Sequence, residues 1–152
     1  MTEQSLNCDR RYTHTFADLV DRLSICILKS IFIPSNKKAY DAEIQDIMHD
    51  IDLIISQKNV TLNAESVRAI QILMLSNRFI WENESKCRAG ENQDFSLLKI
   101  THSINGVRNT ARNVLSKEMG ERLDLKVDCL AAELQTDFQN WNLFNNESTT
   151  NS

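Results

Sequence analysis

One proline and three glycines in 152 residues leave this chain little material for tight turns. A sandwich or barrel of that length needs many turns, several at positive φ, where glycine is the residue of least cost. A few long helices need only a few connections. The scarcity therefore predicts an all-α architecture, in a chain long enough for one domain to bury a core.

Hydrophobic spacing places the helices. Thr15 can cap a first helix, with Asp18 three residues on in a capping-box position. Phe16, Leu19, Val20, Leu23, Cys26 and Ile27 then follow the three-and-four spacing of one buried stripe. Ile25, Leu28 and Phe32 add a second stripe, which predicts a central position for this helix, ended by Pro34. Ser35 or Asn36 starts a second helix with Tyr40, Ile44, Ile47, Ile51, Ile54 and Ile55 on one face, broken over Gln57 to Thr61. Thr61 or Asn63 opens a third, running to Arg88, with Val67, Ile70, Leu73, Met74, Ile80 and Trp81 apolar and Gly90 as its cap.

Asp94 caps a fourth helix with the stripe Leu97, Ile100, Ile104, Val107, Ala111, Val114 and Leu115, and Gly120 ends it. Gly106 lies inside this helix at a cost of about 1 kcal/mol against alanine, which a close helix crossing there would explain. A fifth helix follows, with Leu123, Val127, Leu130, Leu134, Phe138 and Trp141 on one face. The expected organisation is a polar arm at 1–14, an antiparallel bundle of about five helices over 15–144, and a polar, disordered tail at 145–152.

Charge and cysteine usage bound the function classes. A net charge of −4 gives no global attraction to nucleic acid or to anionic membrane. Met1 to Arg11 is polar and lacks an apolar signal-peptide core, and the longest apolar run, Ile25 to Ile33, is interrupted and too short to span a bilayer. Cys8, Cys26, Cys87 and Cys129 lie far apart with no CxxC pair, so neither structural zinc nor a disulfide framework is expected. The expectation is a cytoplasmic protein without a metal or cofactor.

Three sets of polar residues are candidate sites. On the second helix Glu43, Asp46 and Asp50 share a face, with His49 three residues beyond Asp46. Helical metal sites use such spacings but need a matching acidic motif on a second helix. Glu82 and Glu84, two apart, diverge, and Glu91 and Asp94 fall at a loop and a cap, so a solvated face is the simpler reading. The second set intrudes on buried faces: Asp21, Arg22 and Ser24 on the first helix, Asn77 in line with Met74 and Trp81 on the third, Asn105 and Arg108 on the fourth. Buried polar groups must find partners, and Asp21 beside Arg108 with Asn77 and Asn105 alongside would satisfy them mutually. Such a set is either a network that fixes helix register or a ligand pocket lined by Trp81; an exposed Asp18–Arg22 pair at i, i+4 is a further alternative. The third set is a basic stretch, Lys99, His102, Arg108, Arg112 and Lys117, with no acidic residue from Phe95 to Ser116. It suits phosphate contact, or docking on the acidic face of the second helix or across a dimer. No exposed aromatics interleave with it, which leaves single-strand stacking without support. His14, His49 and His102 are isolated, and no nucleophile-elbow or phosphate-loop motif accompanies them, so no catalytic residue is assigned.

The segments Phe16–Lys29 (FADLVDRLSICILK), Asn77–Arg88 (NRFIWENESKCR) and Ile104–Glu118 (INGVRNTARNVLSKE) resemble three helices of a group of uncharacterised small bacterial and phage proteins found beside glycosyltransferases. The resemblance spans under a third of the chain, and Gly106 departs from the group's pattern. It implies a shared fold and singles out Asp21, Arg22, Ser24, Lys29, Asn77, Trp81, Glu82, Arg88, Asn105 and Arg108. The leading expectation is an accessory protein that binds a protein partner or itself. The alternatives are a nucleotide or sugar-nucleotide binder or enzyme using Asp21, Arg22, Asn77, Trp81, Glu82, Asn105 and Arg108, and a nucleic-acid module using Lys99, Arg112 and Lys117.

Overall fold

A computed structural model describes residues 11–89 and 95–124. Within them the chain forms four α-helices and no strand: α1 (Phe16–Phe32), α2 (Lys37–Lys58), α3 (Ala64–Arg88) and α4 (Phe95–Glu118), with a short 3₁₀ turn at Pro34–Asn36 between α1 and α2. No helix among the described residues is long and apolar enough to cross a membrane. The expected Gly90 and Asp94 caps, the arm at 1–10 and the body of the fifth helix lie outside the described residues. Leu123, expected on that helix, is in the non-helical stretch 121–124 and is half exposed.

The helix ends follow from local chemistry. Thr15 Oγ1 accepts from the Asp18 amide at 3.1 Å and the Asp18 carboxylate accepts from the Thr15 amide at 2.9 Å, a complete capping box. Asn63 caps α3, its side-chain oxygen accepting from the Ser66 amide at 2.9 Å. Asn59 ends α2 in the left-handed region at φ 51, which asparagine tolerates better than most residues. Gly120 ends α4 at φ 63. Its amide donates to Lys117 O at 3.1 Å and the Glu121 amide donates to Ser116 O at 2.8 Å, the paired bonds of a Schellman ending.

α1 is central: it packs against each of the other three helices. The main core gathers Phe16, Ala17 and Val20 of α1, Ala69, Ile72 and Leu73 of α3, and Ala111, Leu115 and Met119 at the end of α4. A smaller cluster joins Leu19 and Cys26 of α1 to Ile47 of α2. Cys26 is a free thiol with no exposed surface, and burial, with Glu43 beside it, pushes its pKa up.

Two helices bury a different set of residues from the expected stripe. On α3 the buried positions are Ser66, Ala69, Ile72, Leu73, Ser76, Asn77 and Asn83, while Val67 is half exposed. α4 packs on this face with Ser103, Gly106 and Ala111 among its own buried residues. Small side chains bring the two backbones close, so the contact face turns toward serine and alanine rather than the bulkier residues one position away. On α2 only Ile47 is buried; Tyr40, Ile44, Ile51, Ile54 and Ile55 are half covered, because among the described residues α1 is the only helix that packs along this one.

Candidate functional site

The polar residues of α1, α3 and α4 converge on Asp21, which is buried at 7% exposure. Asp21 Oδ1 accepts from Asn77 Nδ2 at 2.8 Å and from Arg108 Nε at 3.0 Å, and Oδ2 accepts from an Arg108 terminal nitrogen at 2.5 Å. The guanidinium thus grips the carboxylate with two nitrogens, the strongest form of this pair. Asn77 Nδ2 also donates to Ser24 Oγ at 2.5 Å, and Ser24 Oγ donates to the Asp21 carbonyl at 2.8 Å. Arg108 donates further to Asn105 Oδ1 at 3.3 Å. Asp21, Ser24, Asn77, Asn105 and Arg108 are therefore one hydrogen-bonded unit joining three helices.

Arg112, one turn beyond Arg108, makes a second crossing of the same kind. It is hydrogen-bonded and ion-paired with Asp18, which Arg122 also approaches at 3.2 Å. Burial alone would raise the Asp18 pKa, but the Thr15 hydrogen bonds and the Arg112 charge outweigh it and hold the carboxyl below its ordinary value. Arg112 Nε is buried without a hydrogen-bond partner among the described residues, 3.9 Å from Asp21 Oδ2. The basic stretch of α4 thus sends Arg108 and Arg112 to the aspartates of α1, not to the acidic face of α2. Lys99 and Lys117 are exposed.

The remaining residues singled out by sequence stand apart from this unit. Arg22 faces α2 and hydrogen-bonds Glu43 at 2.7 Å, which holds the Glu43 pKa below and the Arg22 pKa above their ordinary values. Asp18 and Arg22 do not pair with one another. Glu82 is exposed and paired with Arg78, and Trp81 is half buried. Among the described residues no group of three or more His, Cys, Asp or Glu side chains could hold a metal ion. Asn83, which the sequence reading passed over, is buried with its Nδ2 lacking a partner among the described residues. Its position between exposed Glu82 and Glu84 gave no signal.

A cleft of about 750 Å³ opens between α1 and α2. Its lining includes apolar Leu19, Ile25 and Ile47 and charged Asp18, Asp46, Asp50 and Arg112. It takes in Asp21 and Arg22, whereas Asn77, Trp81, Glu82, Asn105 and Arg108 do not line it. The polar unit and the largest described cavity are therefore different places that share one wall.

A second surface lies at the far end of α1. Arg78 of α3 stacks on the Phe32 ring with its guanidinium carbon 4.3 Å from the centroid. Around this contact Ile31 is 61%, Leu75 67% and Phe32 45% exposed. Ile31 and Phe32 at the end of α1 and Leu75, three residues before Arg78 on α3, are thus large apolar side chains open to solvent. Compared with known proteins, the chain matches no family model, no curated protein and no solved structure.

Proposed function

We propose that this chain is a helical accessory protein that acts by binding, either a protein partner or a second copy of itself, through the apolar corner of Ile31, Phe32 and Leu75. The observation that carries the reading is the exposure of these three side chains around the Arg78–Phe32 contact. Clustered exposed apolar residues of this kind mark interaction surfaces, and an arginine stacked on an aromatic is a frequent interface anchor. The closed state of the Asp21 unit adds support: its carboxylate already has three donors, so it serves as a strut between helices. The proposed architecture is an antiparallel bundle of about five helices, supported by the meeting of the start of α1 with the end of α4 through the Phe16 amide and Glu121 at 2.8 Å. The resemblance to small proteins found beside glycosyltransferases fits an accessory role in a bacterium or phage.

A second reading is favoured by the cleft, whose volume lies in the range of small-molecule sites. A nucleotide or sugar-nucleotide there would meet Arg22 and Arg112, but also Asp18, Glu43, Asp46 and Asp50, an acidic majority that disfavours a phosphate.

Native mass spectrometry of the purified chain, followed by the same measurement after denaturation, separates the readings. A homo-oligomer that the Ile31→Asp/Leu75→Asp double variant converts to monomer supports binding through this corner. If the chain is monomeric, a photo-crosslinking residue at position 75 should trap one discrete partner in cells and one at exposed position 65 should not. A small molecule retained in the native spectrum and released on denaturing would transfer the function to the cleft.

A further inference from the structure

Ends of all four helices meet on one short stretch of chain, 118–122. Asn63, the cap of α3, donates its side-chain nitrogen to the Glu118 carboxylate at 2.9 Å. Gly120, at φ 63, ends α4 and turns the chain toward the start of α1, where the Glu121 carboxylate accepts from the Phe16 amide at 2.8 Å. Arg122 donates to the Thr13 carbonyl at 2.7 Å, just before that helix. Lys58, the last residue of α2, brings in the fourth end. Its Nζ donates to the Met119 carbonyl at 3.1 Å and lies 3.2 Å from the other Glu121 oxygen. The Glu121 side chain is only 8% exposed, so this pair is shielded from solvent in a way the pairs on the outer surface are not.

Away from Lys58, α2 is held lightly. Among the described residues it packs along α1 alone, whereas α3 and α4 pack on each other as well as on α1. Two polar ties reach α1: the exposed Arg22–Glu43 pair and the Ser30–Asp41 hydrogen bond at 2.7 Å, close to the connecting turn. In that turn Ile33 (φ −124, ψ 72) and Asn36 (φ −113, ψ 14) leave helical geometry, and Pro34 has no amide to continue a helical ladder. α1 and α2 are therefore two rods joined at a bend. Near the Lys58 end Ile51, Ile54 and Ile55 pack against the main core. Between α1 and α2 lie Leu19, Ile47 and Cys26, the last with no exposed surface.

From the bend at one end and the clasp at the other, we infer that α2 is a hinged flap. It swings from α1 about Ile33–Asn36 while α1, α3 and α4 stay packed, and Lys58 on Met119 and Glu121 is the latch that holds it shut. Opening bares the Leu19–Cys26 face of α1. The inference is independent of the apolar corner at Ile31 and Leu75.

Thiol labelling of the full chain tests it, with mass spectrometry following the peptide that carries Cys26. A flap predicts that Cys26 reacts through an opening whose population changes little with urea well below the unfolding midpoint, because most of the fold stays closed. Lys58→Met keeps the apolar stem and removes the ammonium, and should speed labelling about fivefold. Lys58→Arg, which keeps the charge, should label near the wild-type rate. Leu73→Val, on the α3–α4 side, should lower the midpoint of global unfolding and leave Cys26 labelling unchanged. Labelling that follows the full urea slope of unfolding, or that Leu73→Val speeds in step with the loss of global stability, would overturn the flap. An unchanged rate in Lys58→Met would overturn the latch.

Discussion

The two sides of α1 are built differently. Toward α3 and α4 the helix presents Phe16, Ala17 and Val20 to a core whose other members include Leu73 and Leu115 at 0% exposure, and beside that core Asp21 is held by Asn77 and Arg108. Toward α2 it presents Leu19 and Cys26 to Ile47, and most of the isoleucine seam of α2 stays half covered beside an open cleft. One side is closed by small residues and a satisfied polar unit; on the other, among the described residues, α2 has α1 as its one helical neighbour. The difference teaches that a regular apolar stripe does not guarantee burial. α2 carries a regular isoleucine stripe, yet among the described residues only Ile47 of it is buried, because burial depends on what the rest of the chain brings against it.

The comparison can be broken by core truncation first. Leu73→Ala on the closed side should cost about 4 kcal/mol, whereas Ile44→Ala on the half-covered seam should cost about 1 kcal/mol, both read from urea unfolding. Equal costs would mean that the two sides are equally packed. Thr15→Ala removes the α1 cap and should cost about 1 kcal/mol, lowering the midpoint without changing the denaturant slope.

The ion pairs sharpen the same contrast. Because the folded Asp18 pKa lies below its ordinary 3.8, its contribution to stability is complete above that value and is lost as the pH falls through the lower folded value. Thermal unfolding between pH 5 and 2 should therefore show a shallower acid limb for Asp18→Asn than for wild type. The smallest effect belongs to the exposed Arg22–Glu43 pair on the open side: Arg22→Ala should cost about 0.5 kcal/mol or less, and less still in high salt.

Much of this fold was legible in the chain. Thr15 with Asp18 announced a capping box, Pro34 and Gly120 announced ends, and Asp21, Asn77 and Arg108 stood out as polar residues on apolar faces that had to satisfy one another. The contact face of α3 was not legible, because it depends on how closely α4 approaches, and Ser66, Ala69 and Ser76 permit an approach that a hydrophobicity pattern does not register. The Asp18–Arg112 pair was missed in favour of Asp18–Arg22, although a signal existed: Asp18 and Asp21 share a face of α1 just as Arg108 and Arg112 share a face of α4. The geometry supports reading the polar unit as a structural joint, since the Asp21 carboxylate accepts three hydrogen bonds from Asn77 and Arg108.

That claim is tested most directly by a double-mutant cycle on Asp21 and Arg108, with Asp21→Ala, Arg108→Ala and the double variant followed by urea unfolding. A structural joint predicts that Asp21→Ala alone costs about 3 kcal/mol, because it strands Arg108, and that the double variant is little worse than either single one, a coupling of about 2 kcal/mol. Single replacements that leave stability unchanged or raise it, with costs that simply add, would contradict the account, because polar groups kept for a ligand rather than for the fold commonly destabilise the protein that carries them.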